Sequence, residues 1–151
     1  MPENATLRLE AYLPYRLSVA SNRTSRWVAR SYEAKFGLSI WQWRVIAVLG
    51  GADRLTAQAL TESTAMDKVT VSRAVRALIE RGLVERKKHQ SDGRSALLEL
   101  TPAGRSVYDE VAPIALKHEA DLLDGFSPEE IGMLTDLLLR LEQRADDLAQ
   151  D

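Results

Sequence analysis

Residues 66–101, MDKVTVSRAVRALIERGLVERKKHQSDGRSALLELT, carry the side chains best suited to recognition chemistry. Arg73 and Arg76 can each donate two hydrogen bonds to the edge of a guanine. The hydroxyls of Thr70 and Ser72 can bond to bases or phosphates, and the methyls of Val69 can meet a thymine methyl. Lys68 opens the same stretch. Further on, Lys87, Lys88 and Arg94 surround a polar tip, His89–Gly93. An arginine on a narrow tip suits a minor groove, where the potential is most negative. Asp92 can pair with a nearby arginine and brace that tip, with Arg86 at its base. The duller reading is a solvated helix face followed by an ordinary polar hairpin turn.

These residues need particular elements to hold them. On a helix over 68–82, Val71, Ala74, Val75, Leu78 and Ile79 cluster on one side and face a core. Val69, Arg73 and Arg76 then point away, flanked by Thr70 and Ser72. Asp67 is a suitable N-cap, and Gly82 ends the helix. Leu83–Lys88 and Arg94–Leu100 read as two strands around the tip. Upstream, Thr56 caps a short helix, and Ser63–Ala65 form a tight connection to the next. A short helix and a tight turn are the support that a groove-reading helix requires.

The flanks are helical. Leu9, Leu13, Leu17, Ala20, Trp27, Val28 and Tyr32 follow helical spacing across 7–35, with a kink or an effective start at Pro14 and a stop at Gly37. Ser39 and Gln42 form a capping box for a second helix, which Gly50-Gly51 should end. Thr101-Pro102 opens a long helix to about Leu123, with Pro113 inside it. Ser127-Pro128-Glu129-Glu130 starts another. The fold class expected is mainly α with a small β-hairpin wing. It is a winged helix-turn-helix over 37–101, with long dimerisation helices in 1–36 and 102–151.

The spacing Asp67-Lys68-x-Thr70-x-Ser72-Arg73, then Arg81-Gly82-Leu83-Val84-x-Arg86, Asp92-x-Arg94 and Leu100-Thr101-x-x-Gly104 resembles the multiple-antibiotic-resistance regulator (MarR) family of bacterial transcription factors. The resemblance covers nearly the whole chain. It implies a homodimer on a pseudo-palindromic double-stranded operator, usually a repressor released by a small ligand. It also implies that Thr70, Ser72, Arg73 and Arg76 face the major groove and that Arg94 enters the minor groove. Family members with a segment like Tyr12-Leu13-Pro14 often answer to phenolic acids or their coenzyme A thioesters. The resemblance places such ligands between the dimer helices and the DNA-binding lobe. Tyr12, Tyr15, Arg16, Asn22 and Trp41, with Arg23 and Trp43 nearby, are the residues whose types fit a small aromatic carboxylate. Arg16 is the expected carboxylate partner. Equally, these aromatics are core and the arginines are surface pairs.

Charge follows the same division. Residues 66–94 hold eight Lys and Arg against four Asp and Glu, whereas from residue 107 onward three bases face twelve acids. A local basic patch binds phosphate even in a chain of net charge −2. Ile131, Leu134, Leu138, Leu141, Ala145 and Leu148 recur at heptad spacing, an a/d seam. With Leu9 and Leu13 of the first helix they are the expected dimer contacts. The same seam could instead pack within one chain.

Other functions find little support. The chain has no cysteine and only two histidines, so zinc-thiolate and thiol redox chemistry are excluded. No nucleophile–base pair and no Gly-rich phosphate loop is visible, so no enzyme, cofactor or metal site is expected. No apolar run approaches the roughly 20 residues that span a bilayer. The N-terminus lacks a secretory pattern, and a cytoplasmic location is expected. The competing function is a winged-helix module that docks a partner protein.

Overall fold

The computed structural model describes residues 5–88 and 96–151. After a 3-10 turn at Leu9–Ala11, the elements run α1 Leu13–Val28, α2 Glu33–Phe36, α3 Ile40–Ala52, β1 Arg54–Thr56, α4 Ala57–Thr64 and α5 Lys68–Glu80. Then follow β2 Val84–Lys88, β3 Ala96–Leu100, α6 Pro102–Leu122 and α7 Pro128–Ala149. The chain divides into two compact units, Met1–His118 and Glu119–Asp151.

In the first unit, α3, α4 and α5 close on one core with the sheet. Leu38, Val45, Ile46, Leu49, Leu60, Leu78, Val84, Leu98 and Val111 are fully buried there. The helix-turn-helix is α4, a turn through Ala65 in the left-handed region at φ 53°, and α5. The Asp67 carboxylate accepts from the Thr70 N–H at 2.8 Å and from the Thr70 hydroxyl at 2.7 Å. This cap satisfies an orphan donor of α5 and fixes where the helix begins. Ser39 and Gln42 form the expected capping box of α3, and Thr56 caps α4.

Several sequence expectations shift. The N-terminal segment is not one helix over 7–35. Helix α1 starts with Pro14 in its first turn, and a 3-10 turn at Ala29–Ser31 separates it from α2. The Ser31 hydroxyl donates to the Val28 carbonyl at 2.6 Å there, competing with the helical ladder. The break turns Tyr32 into the core, where its ring stacks on Trp43 at 5.7 Å. Helix α3 does not end at Gly50-Gly51 but runs on to Ala52 and stops at Asp53, at φ 73°. Gly50 serves packing: a Cβ there would overlap the Tyr108 ring. Helix α5 ends at Glu80, two residues early, with Gly82 at φ 72° just beyond.

The sheet has three strands, not two, in the order β1-β3-β2, all antiparallel. Its register places Leu55, Leu98 and Arg86 side by side, and Arg54, Glu99 and Glu85 side by side. Because side chains alternate between faces, Val84, Arg86 and Lys88 share the core-side face of β2. Glu85 and Lys87 share the other. The Thr101 hydroxyl donates to the Gly82 carbonyl at 2.6 Å and accepts from the Gly104 N–H at 3.0 Å, tying the base of the hairpin to the start of α6.

The second unit contains α7. Ser127 and Glu130 form its capping box, with Pro128 in the first turn. None of its residues is buried. No helix among the described residues is long and apolar enough to cross a membrane.

Candidate nucleic-acid interface

Helix α5 presents the outer face that its spacing predicts. Val71, Ala74, Val75 and Leu78 are buried, while Lys68, Val69, Ser72, Arg73 and Arg76 are exposed. Val69 keeps 59% of its surface exposed, which leaves its methyls open to a thymine methyl. Thr70 is half-buried, and its hydroxyl proton is committed to Asp67. Donation from the Thr70 side chain and N–H holds the Asp67 carboxyl below its ordinary value. The cap is therefore charged at neutral pH, at the helix end where negative charge is favourable.

Two clefts flank this helix. Lys68, Ser72 and Arg86 meet over a hollow of about 540 Å³, floored by Val71, Val75 and Leu98 and walled by α4. On the other flank, Thr70 and Arg73 line a shallower cleft with Ser39, Trp41 and Gln42 of the α3 start. The hairpin base and α5 thus bring Arg86 and Lys68 to one hollow, with Glu62 of α4 on its wall. Lys88 is exposed on the Arg86 face of β2. Asp92 and Arg94 lie outside the described residues, as does the tip His89–Gly93.

Two of the basic residues are engaged within the fold. Lys87 is ion-paired with Glu99 at 2.6 Å and lies 3.7 Å from Glu85. The hydrogen bond that the Lys87 ammonium donates to Glu99, then the Glu99 charge, holds that ammonium above its ordinary range, and the same contact holds Glu99 low. Arg81, counted in the basic stretch, donates to the carbonyls of Phe36 and Gly37 and caps α2. Neither role is visible in sequence, because the β2–β3 pairing brings Glu99 to Lys87 and the Arg81 acceptors precede it by more than forty residues.

The residues considered for a ligand separate. Asn22 and Trp41 line a cavity of about 910 Å³ between α1 and the α3 start, with Ser21, Ser25, Arg26, Tyr32 and Arg44 among its walls. Tyr12, Tyr15 and Arg16 are exposed at the beginning of α1 and do not line it. Arg23 lies on a smaller hollow with Arg26, Trp27 and Arg30. Trp43 is packed between Tyr32 and Tyr108, with the Tyr108 ring at 6.4 Å. Arg26 and Arg44 escaped the sequence reading. Their signal was helical spacing from Asn22 and Trp41, and Arg44 does stack over the Trp41 ring at 5.5 Å. Burial, then the Glu33 charge, pushes the Tyr32 hydroxyl up, so it stays a neutral donor.

The proposed dimer residues are open in this chain. Leu9, Leu13, Leu134, Leu138, Leu141 and Leu148 are all exposed, and Ile131 is half-buried. Met133, Leu137 and Leu139 widen the apolar surface of α7.

A family model described as the MarR family matches residues 36–95. The HTH-type transcriptional regulator YwoH of Bacillus subtilis is 30% identical over 112 residues, 72% of this chain and 81% of that protein. A MarR/EmrR family regulator from Acinetobacter sp. ADP1 superposes with a TM-score of 0.85 at 28% identity, over 93% of this chain and 99% of the other. A MarR family regulator from Silicibacter pomeroyi gives 0.75 at 30% identity, over 92% and 93%. All three are transcriptional regulators, and the two solved ones share the fold of this chain. This chain belongs to the MarR family of DNA-binding transcriptional regulators.

Proposed function

We propose that the chain is a homodimeric, ligand-responsive repressor of a pseudo-palindromic operator. The observation that carries this reading is the outer face of α5, where Val69, Arg73 and Arg76 stand exposed together behind the Asp67-capped helix start. Thr70, Ser72, Arg73 and Arg76 read the major groove. Lys68, Arg86 and Lys88 meet phosphates beside it, and Arg94, braced by Asp92, enters the minor groove. Residues 37–101 do the reading, while 1–36 and 102–151 join the copies through Leu9, Leu13 and the α7 seam. Two such helices meet successive major grooves roughly 34 Å apart.

The ligand of this reading is a small aromatic carboxylic acid, or its thioester, in the cavity beside Trp41. Trp41 and Tyr32 offer aromatic walls, and Arg26 and Arg44 offer guanidiniums for a carboxylate. NadR, solved in complex with 4-hydroxyphenylacetate, shares the fold with a TM-score of 0.76 at 23% identity. A ligand of this kind releases DNA only by favouring one of two dimer geometries, with a coupling typically about 1–3 kcal/mol.

The test is capture of genomic fragments by the purified protein at near-physiological salt, followed by sequencing. One enriched pseudo-palindrome is expected. Equal capture of unrelated sequence would leave only sequence-independent phosphate binding.

A further inference from the structure

The two faces of the hairpin carry different charge. On the core-side face of β2, the register partners of Arg86 and Lys88 among the described residues are the apolar Leu98 and Ala96, and the acid on that side is Glu62 of α4, on the wall of the same hollow as Arg86. On the other face, Glu85 and Glu99 lie directly opposite each other across β2 and β3, and Arg54 of β1 pairs with Glu99 from the far side. Two facing carboxylates repel. Lys87 answers both, at 2.6 Å from Glu99 and 3.7 Å from Glu85, while the Arg54 guanidinium sits 3.7 Å from Glu99. Two acids and two bases cancel on that face. Glu99 is the hub, and only 15% of its side chain is exposed.

Lys87 also occupies the edge strand, since β3 is central. Its neighbours Arg86 and Lys88 point to the cationic face. A lysine stem is long and flexible, so an unpaired Lys87 could turn around the open edge and join them. Each phosphate contact adds sequence-independent affinity and steepens the salt dependence by about 0.9 in log–log slope. Such a contact strengthens binding to every duplex alike, whatever its sequence.

We infer that Glu99 is a positioning residue that acts through Lys87: by holding this lysine on the neutral face, it withholds a phosphate contact and keeps sequence-independent binding to DNA weak. The inference rests on the DNA-reading assignment of α5 and the hairpin, and concerns how much charge the hairpin delivers.

The experiment uses a duplex of arbitrary sequence and the full chain, with binding measured across a salt series. Glu99→Gln keeps the shape and removes the charge. It should bind the arbitrary duplex more tightly at low salt, with a slope steeper by about 0.9 per hairpin, or about 1.8 for a dimer. Lys87→Gln alone should leave the slope at the wild-type value, because that lysine is already withheld. The double variant should return to the wild-type slope. If Glu99→Gln matches the wild type, the inference is overturned. It is equally overturned if the double variant stays as steep as Glu99→Gln, since the effect would then be bulk charge. If Glu99→Gln fails to fold, Lys87→Gln decides: an unchanged slope supports the withheld lysine, and a shallower one shows Lys87 on phosphate. A wild type that binds no duplex at all would instead sink the DNA-reading assignment.

Discussion

Arg73 sits at the middle of the exposed face of α5, one turn beyond the capped start, and lines the cleft next to Trp41. A bidentate arginine–guanine pair discriminates by roughly 1–3 kcal/mol. Arg73→Ala should therefore weaken operator binding by about that amount and relax base preference at one position per half-site. Equal losses on operator and arbitrary duplex would reassign Arg73 to phosphate. This part of the site was legible because helical spacing alone separates Arg73 from Val71 and Ala74. Lys87 and Lys88 were not separable in the same way. They are adjacent cations in sequence, and only the pairing of β2 with β3 brings Glu99 to one and not the other. Arg81 misled for the same reason, since its acceptors Phe36 and Gly37 precede it by more than forty residues.

Helix caps carried most of the legible information at the level of elements. Ser39, Thr56, Asp67 and Ser127 all cap where their local patterns indicate, because a cap is satisfied within three residues. The Asp67 cap has a pH signature. Its carboxyl is held below the ordinary 3.8 by Thr70, so its stabilisation is present above that value and is lost as pH falls through the lower, folded one. The stability gap between wild type and Asp67→Ala, from chemical denaturation, should narrow below about pH 3.8. A gap unchanged into that range would mean that the charge does not matter to the cap. Glycine was the less reliable signal, because it marks either a stop or a close approach. Gly50 reads as a stop and is a close approach. Gly104 is another: a Cβ would overlap the Leu83 carbonyl oxygen. Replacing glycine by alanine within a helix gains about 1 kcal/mol in propensity, but overpacking against backbone costs typically 1–3 kcal/mol. Gly104→Ala should lower the urea midpoint despite its better propensity, and an unchanged or raised midpoint would show that the α6–hairpin junction can yield. Strand β1 was missed outright: three residues are too few for a period, and it exists because β3 offers it an edge.

At the level of the whole molecule, the open question is what covers α7. Its seam of Leu134, Leu138, Leu141 and Leu148, with Met133, Leu137 and Leu139 beside it, is exposed on a 22-residue helix with no fully buried residue. A contiguous apolar surface of this kind is rare on a monomer and marks an interface. Heptad spacing selects another helix as the occupant, and a second copy supplies an identical one. The pseudo-palindromic operator proposed above asks for the same assembly, because two half-sites bound by one rigid dimer would multiply what each half contributes. Leu138→Glu places a charge in the middle of the seam, opposite its own symmetry mate or close to it. Burying such an unpaired charge is prohibitive, so the variant should sediment as a monomer. Its DNA-binding lobe folds around a separate core, in Met1–His118, so helical signal should be largely retained. Operator binding should fall by orders of magnitude, while the weak binding to a single half-site stays as it was. A Leu138→Glu protein that remained dimeric would move the interface off α7. A monomer that still bound the full operator as tightly as wild type would separate assembly from recognition, leaving the seam for some other partner.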